Sequence, residues 1–160
     1  MQENKELSKS EELLINTKAH EFIKMIETTS MSKSYKIPVF LAFYNEGNIK
    51  MKIDEDDVYK SFYEFYHKGS NKADMLRHKS TADFEKLGKK KYLKLAKDNP
   101  VKFLIKTHGE FFEKDQDTVI KLCDELKKIV KNECFVGEVI DSVEYRKVRY
   151  YEERNFKIEN

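Results

Sequence analysis

The chain has few of the residues that build disulfide-linked or metal-held folds. Its 160 residues include two cysteines, Cys123 and Cys134, and no pair of histidines stands beside them at the spacing of zinc ligands. A disulfide has no support either, because nothing marks the chain as secreted. A chain of this length can bury a hydrophobic core without such links.

Long apolar runs are also missing. The longest covers residues 37 to 43, much shorter than the roughly 20 residues that cross a bilayer. The opening segment, MQENKELSKSEE, is polar and acidic, unlike a signal or transit peptide. We therefore expect a cytoplasmic protein with no membrane partner.

Sequence patterns of catalysis are scarce as well. There is no GxxxxGK[ST] phosphate loop, the four histidines are scattered singly, and no serine or cysteine has a neighbouring histidine and acid. The acidic run at 54–57 lacks the glycine and alternate spacing of a calcium loop, so helix capping explains it. Glu125 and Lys127 have the Glu-x-Lys spacing of metal-dependent nucleases but fall in a predicted helix. We predict no enzyme activity, no cofactor and no metal site.

Arginine is rare, whereas lysine is concentrated in one stretch. The chain has four arginines, and residues 86 to 106 alone hold eight lysines against one carboxylate, Asp98. The formal net charge of the whole chain is only +2. The lysines alternate with apolar residues at helical spacing, which predicts a helix with one buried and one cationic face. Phosphate is the commonest partner of such a face. A solvated face and an acidic protein surface are the alternatives.

Lysine is a point charge without the guanidinium fork that reads guanine edges. A lysine surface therefore predicts phosphate contacts, strong salt dependence and little base selectivity. Residues 32 to 36 form a second basic segment, whose hydroxyls suit either an anion or simple helix capping. The predicted nucleic-acid-binding residues are Lys89, Lys90, Lys91, Lys94, Lys97, Lys33, Lys36, Lys114 and Arg77.

Hydrophobic periodicity predicts a mainly helical fold with a small antiparallel sheet. Residues 1 to 9 are predicted to be a disordered tail, and residues 10 to 160 one domain. The predicted helices are 10–27, 35–44, a helix capped by Asp54, a short helix at Met75 and Leu76, 89–98, 100–107, a helix capped by Asp124, and 135–154. The predicted strands are 49–53 and the hairpin arms 110–113 and 119–122.

This order of elements matches a winged helix-turn-helix. Residues 36 to 122 would form that core, flanked by an N-terminal helix and by C-terminal helices over 124–154. In such domains one helix enters the major groove and the hairpin wing touches the backbone or minor groove. The lysine stretch would then face duplex DNA, with Lys114 at the tip of the wing. Unrelated small helical domains can show the same order by chance.

An aromatic cluster precedes the lysine stretch. Tyr59, Phe62, Phe65 and Tyr66 fall mainly on one side of the helix that follows Asp54, which is typical of core packing. Tyr63 falls outside that stripe, where a tyrosine can stack on an unpaired base or on a partner side chain.

Three segments resemble a known family. ETTSMSKSYKIPVFLAFYNEGNIKMKIDEDDVYKSFYEFY (residues 27–66), with the motif TSMSKSYK (29–36), resembles the C-terminal regions of large DEAD/DEAH-type helicases of bacterial restriction and phage-defence systems. NPVKFLIKTHGEFFE (99–113) and VEYRKVRYYEER (143–154) are similar to the same regions. The resemblance implies a non-catalytic module that binds DNA or docks on a helicase or nuclease subunit. The chain departs from the family in lacking every helicase motor motif.

The predicted function is therefore a non-enzymatic module that holds double-stranded DNA in a restriction or phage-defence system. The alternative is a protein-interaction or inhibitor module that docks on a nuclease or helicase complex. The sequence leaves base specificity and oligomeric state open.

Overall fold

The computed structural model describes residues 16 to 154. Within this range the fold is mainly helical and contains two small antiparallel sheets. The buried side chains form one hydrophobic cluster, to which nearly every element contributes. The tail predicted at 1–9 lies outside the described residues.

The elements follow one another in this order along the chain. The helices are α1 (Thr17–Thr28), α2 (Lys36–Ala42), α3 (Glu55–Tyr66), α4 (Ala73–Leu76), α5 (Lys89–Ala96), α6 (Lys102–Thr107) and α7 (Glu133–Glu153), with a π-helical segment at Lys97–Val101 and 3₁₀ turns at Phe84–Lys86 and Asp124–Leu126. The strands are β1 (Tyr44–Asn45), β2 (Asn48–Ile49), β3 (Lys52–Ile53), β4 (Phe112–Lys114) and β5 (Ile120–Leu122).

The first helix begins later than its sequence predicts. Asn16 has an extended backbone (φ −93°, ψ 94°), and its side-chain oxygen accepts a hydrogen bond from the backbone N–H of Ala19 at 2.9 Å. An extended cap residue cannot lie inside a helix, so the prediction of one uninterrupted helix over 10–27 is wrong at this position. Residues 10 to 15 lie outside the described residues.

The acidic run before α3 acts as a helix cap, as predicted. The Asp54 carboxylate accepts from the backbone N–H of Asp57 at 2.9 Å, and the Asp57 carboxylate accepts from the N–H of Asp54 at 3.0 Å. This reciprocal capping box satisfies two backbone donors at the start of α3. It also fixes Glu55 and Asp56 in the exposed first turn of the helix.

The strand predicted at 49–53 is divided between the two sheets. β2 pairs with β1 through a tight turn, in which Glu46 and Gly47 have positive φ values of 46° and 85°. β3 pairs instead with β5, which places Ile53 opposite Ile120. The two ends of this segment belong to different sheets, so the prediction of a single strand over 49–53 is wrong.

The predicted hairpin is confirmed, and the strand before α3 pairs with it. β4 and β5 are antiparallel, and the sheet order is β3-β5-β4. Phe112 of β4 fixes the hairpin on the helices, because its ring centroid lies 5.9 Å from that of Phe22, 6.3 Å from Phe40 and 6.1 Å from Phe43. The winged-helix arrangement of residues 36–122 stays a prediction.

The lysine-rich element does not divide at Asn99 and Pro100. The helical path continues from α5 to α6 through the π-helical segment Lys97–Val101, with Pro100 buried inside it. Proline has no N–H to donate to the preceding turn, and a wider turn accommodates that loss. The predicted break between helices 89–98 and 100–107 is therefore wrong.

The C-terminal part contains one long helix rather than two. The helix predicted to start at Asp124 is only a 3₁₀ turn, followed by turns that bury Ile129 and Val130. The helix predicted at 135–154 is confirmed as α7, which starts after Asn132, whose side chain accepts from the backbone N–H of Phe135 at 3.0 Å.

Candidate nucleic-acid interface

Burial of one face of α5 turns its lysines outward. Tyr92, Leu93 and Ala96 are buried, and the ring centroid of Tyr92 lies 5.8 Å from that of Tyr59 and 6.4 Å from that of Phe62 on α3. Burial raises the pKa of Tyr92 to about 12, so its hydroxyl stays neutral within the core. The lysines of α5 are all exposed as a result.

Two of the predicted lysines bind carboxylates from the first turn of α3. Lys89 forms an ion pair with Asp56, and Lys97 forms one with Glu55. The hydrogen bond from Lys97 lowers the pKa of Glu55, and the hydrogen bond to Asp56 raises the pKa of Lys89. Both pairs are solvent-exposed and therefore weak, so a phosphate can displace the carboxylates.

A third lysine is paired within its own helix. Lys94 donates to the carboxylate of Asp98 at 2.6 Å, one turn further on, which raises the pKa of Lys94. Lys90 and Lys91 differ from it. Within residues 16 to 154, neither has a carboxylate at ion-pair distance. The predicted site thus contains both neutralised and unpaired ammonium groups.

A groove of about 620 Å³ lies between this helical path and the β4–β5 hairpin. Its floor is apolar, and lysines enter it from both sides. The lining residues are Lys97, Asp98, Val101, Lys102 and Ile105 of the helical path, and Lys114, Gln116, Thr118 and Val119 of the hairpin. The structure thus brings Lys114 close to Lys97 and Lys102, which precede it in sequence by 17 and 12 positions.

A second, shallower groove shares Lys97 and Asp98 with the first. Its remaining lining residues are Glu55, Lys89, Lys90, Leu93 and Lys94. The two grooves form one continuous basic surface because they share these residues. We call it the lysine surface and define it as the lysines that line the grooves: Lys89, Lys90, Lys94, Lys97, Lys102 and Lys114. Lys91 and Lys106 are exposed but line neither groove.

Lys36 has partners within the fold. Its ammonium donates to the hydroxyl of Thr29 at 2.9 Å and to the carbonyl of Ser30 at 2.7 Å. Burial, followed by the positive charge of Arg146, lowers the pKa of Lys36. The side chain therefore binds the carbonyl-rich C-terminal end of α1, where a cation is favoured by the helix dipole.

Lys33 and Arg77 lie in a different basic cluster. Both charges act on His78, whose pKa is lowered mainly by burial and then by Lys33. The Lys33 ammonium also lies 5.5 Å from the ring centroid of Tyr35. Neither residue lines the two grooves of the lysine surface.

Ser34 neither caps α2 nor faces an external anion. It is fully buried, and its hydroxyl donates to the Asp74 carboxylate at 2.6 Å and lies 2.7 Å from the hydroxyl of Tyr66. Asp74 also accepts from the hydroxyl of Tyr150 at 2.7 Å. No sequence pattern indicates this buried polar cluster, because its members come from α3, α4, α7 and the loop before α2.

Three features of the described residues bear on metal binding, thiol reactivity and membrane insertion. Residues 16 to 154 contain no group of three or more His, Cys, Asp or Glu side chains placed to hold a metal ion. Cys123 is buried, and burial raises the pKa of its thiol. None of the helices within these residues is both long enough and apolar enough to cross a bilayer.

Comparisons with protein-family models, with curated proteins and with solved structures find no match to this chain. The resemblance to helicase C-terminal regions stays a prediction. Its three segments do meet in space: the hydroxyl of Thr29 lies 2.9 Å from Nε2 of His108, and the carbonyl of Thr29 accepts from Arg146 at 2.7 Å. Some of the residues in these segments therefore contact one another within the fold.

Proposed function

We propose that this chain is a non-enzymatic nucleic-acid-binding module that holds the phosphates of duplex DNA on the lysine surface. The observation that carries the proposal is the groove between the helical path and the hairpin, which lysines enter from both sides. Within the described residues, Lys102 and Lys114 have no carboxylate partner there. Unpaired cations that converge on a groove favour an anionic ligand that spans it.

The form of the surface favours phosphate over base recognition. Its cations are all lysines, which contact phosphates as point charges and lack the fork that reads base edges. We propose that residues 36 to 122 work as a winged helix, with the helical path against the duplex and the hairpin tip on the backbone. The resemblance of residues 27–66 supports a place in a restriction or phage-defence system, beside a helicase or nuclease subunit.

A second candidate is docking of an acidic protein surface. Phe103 is 42% exposed and lies between Lys102 and Lys106 in sequence. An exposed aromatic residue among cations is a common anchor at protein interfaces. Under this alternative the chain is a protein-interaction or inhibitor module, and duplex DNA competes poorly for the surface.

The test is a duplex-binding titration at several salt concentrations. Within the described residues, three lysines of this surface have no carboxylate partner: Lys90, Lys102 and Lys114. They suggest about three phosphate contacts, so log affinity should fall with log salt at a slope of roughly −2.7. The double variant Lys90→Glu with Lys94→Glu should weaken binding at least tenfold at low salt.

The matched control is Lys127→Glu with Lys128→Glu, which makes the same change of net charge at exposed positions in the turn before α7. It should bind duplex nearly as tightly as the wild type. Equal losses in the two double variants mean that only net charge matters. Absence of duplex binding at 50 mM salt overturns the proposal and leaves the protein-docking alternative.

A further inference from the structure

The exposed face of α3 carries a stacked pair of rings. Tyr63 is 45% exposed, and the ring of His67 one turn later lies parallel to it, with centroids 4.0 Å apart and an interplanar angle of 19°. The backbone carbonyl of Tyr63 lies 2.8 Å from Nδ1 of His67, which holds the imidazole in this orientation. The pair is therefore a stacked aromatic unit whose two side chains are both exposed.

The pair lies at the edge of the core and is not part of the buried stripe of α3. The apolar stripe of α3 consists of Val58, Phe62, Phe65 and Tyr66, all buried. Tyr63 lies beside this stripe, and its ring centroid is 6.0 Å from that of the half-buried Tyr59. An exposed tyrosine that adds little to the core is a candidate for ligand contact.

The ring pair lies beside the lysine surface. Asp56 is two helical turns before Tyr63 on the same face of α3, and Asp56 binds Lys89. The chain of rings Tyr63–Tyr59–Tyr92 leads from α3 to α5, which carries the lysines. Two turns of helix rise about 10 Å, a separation that a short stretch of unpaired strand can bridge.

Cations also flank the other end of the pair. His67 lies 5.1 Å from the ring centroid of Phe84, in the 3₁₀ turn that ends at the exposed Lys86. Lys60 precedes Tyr63 by one turn and is exposed. Flat aromatic rings with lysines around them are the arrangement by which proteins hold single strands, with bases on the rings and phosphates on the cations.

We infer that Tyr63 and His67 form a stacking platform for an unpaired base, so that the ligand of the lysine surface is nucleic acid with a single-stranded segment. The inference rests on the proposed function, because the lysine surface holds the phosphates of the same strand. It names a substrate class that phosphate contacts alone do not select. A fully paired duplex keeps its bases stacked inside and leaves the platform empty.

The first experiment uses fluorescence. The chain contains no tryptophan, so Tyr63→Trp introduces a single reporter at the platform. Addition of a 20-nucleotide oligothymidine should quench its emission, because a stacked base quenches indole, whereas a blunt 20-base-pair duplex should leave it nearly unchanged. Tyr44→Trp is the matched control, since Tyr44 is 43% exposed and lies in β1, outside the ring pair.

The second experiment measures affinity. Tyr63→Ala should weaken binding of the oligothymidine by about tenfold, the loss of one stacked base, while binding of the blunt duplex changes less than twofold. Tyr63→Phe should retain the affinity for the oligothymidine because a phenyl ring also stacks. Tyr44→Ala should leave the affinity for both ligands unchanged. Circular dichroism of each variant checks that the helices remain.

The outcomes separate the two proposals. Duplex binding by the wild type, together with equal effects of Tyr63→Ala and Tyr44→Ala on the oligothymidine, overturns the platform but leaves the lysine surface in place. Absence of binding to both ligands overturns both. Selective loss of single-strand binding in Tyr63→Ala, with quenching at position 63 only, establishes the platform.

Discussion

The guanidinium of Arg146 on α7 donates to the backbone carbonyl of Thr29 at 2.7 Å, just after the end of α1. A second N–H of the same group donates to the carbonyl of Ile26, also at 2.7 Å. The last carbonyls of a helix have no partner within it, and a cation at this end is favoured by the helix dipole. Arg146 therefore connects the long C-terminal helix to the first helix of the described chain.

Removal of this connection should destabilise the protein. Arg146→Ala leaves two partly buried carbonyls without their charged donor, so the free energy of unfolding should fall by about 2 kcal/mol. Urea unfolding followed by circular dichroism measures the change. Arg149→Ala is the matched control, because Arg149 is exposed and forms its ion pair with Glu153 on its own helix. Equal stability of the two variants would contradict the role assigned to Arg146.

Substitution of the buried Asp74 should lower the free energy of unfolding more than substitution of Arg146. The Asp74 carboxylate accepts from the backbone N–H and hydroxyl of Ser34 and from the hydroxyl of Tyr150. Asp74→Ala leaves these donors buried without an acceptor, at a cost of about 3 kcal/mol or more. Asp74→Asn keeps one acceptor oxygen and the shape of the side chain, so it should lose less stability.

Urea unfolding ranks these two variants. Asp141→Ala serves as the control, since Asp141 is exposed on α7. If Asp74→Ala does not fold, the comparison of Asp74→Asn with the wild type still tests the prediction. An unchanged unfolding midpoint in Asp74→Asn and Asp74→Ala would show that the cluster contributes nothing.

Stability should fall below about pH 6.5 through His108. Burial, followed by the positive charge of Lys36, lowers the pKa of this imidazole below its usual value of about 6.5. The unfolded chain then binds the proton more readily than the folded one, so stability is full above pH 6.5 and decreases as the pH falls toward the folded pKa. Thr29, Lys36 and Glu110 are the polar groups that face the ring.

Unfolding midpoints in urea between pH 7.5 and 5 measure this dependence. His108→Gln should flatten the curve in that window. His78 contributes with the same sign, because burial and Lys33 lower its pKa as well, so the double variant with His78→Gln should be flatter still. A slope that persists in the double variant would assign the dependence to other groups.

Features set by neighbours in sequence were predictable. The capping box at Asp54, the hairpin around residues 115–119 and the helix after Asn132 depend on residues a few positions apart. The division of 49–53 between two sheets was not, because it depends on which strands lie beside each end. The course of the chain through Pro100 was missed because a π-helical turn has no sequence signal comparable to a cap.

In the candidate site, too, contacts between residues far apart in sequence were not predictable. Its lysines could be named from composition alone, but the carboxylates that neutralise two of them could not. Lys89 and Asp56 are 33 positions apart, and Lys97 and Glu55 are 42 apart. The acidic run was correctly assigned to helix capping, yet its two middle members, Glu55 and Asp56, also pair with the lysines of the helical path. Only the packing of α5 against α3, through Tyr92, brings the two charge runs together.

These ion pairs lead to a prediction of tighter DNA binding. Glu55→Gln with Asp56→Asn removes the carboxylates that compete with phosphate for Lys97 and Lys89. Each removed charge also ends a repulsion with the DNA backbone, so affinity for duplex should rise by about two- to threefold per substitution at low salt. The gain should shrink as added salt screens the charges.

The matched control is Glu138→Gln with Asp141→Asn, which makes the same change of net charge at exposed positions on α7. Because these residues do not contact the lysine surface, we expect a much smaller gain in a duplex titration at 50 mM salt. The first turn of α3 loses favourable charges, so a modest decrease in the unfolding midpoint accompanies the gain. Equal gains in both double variants would mean that DNA affinity depends on the overall charge of the protein. That result would contradict the assignment of the lysine surface as the binding site.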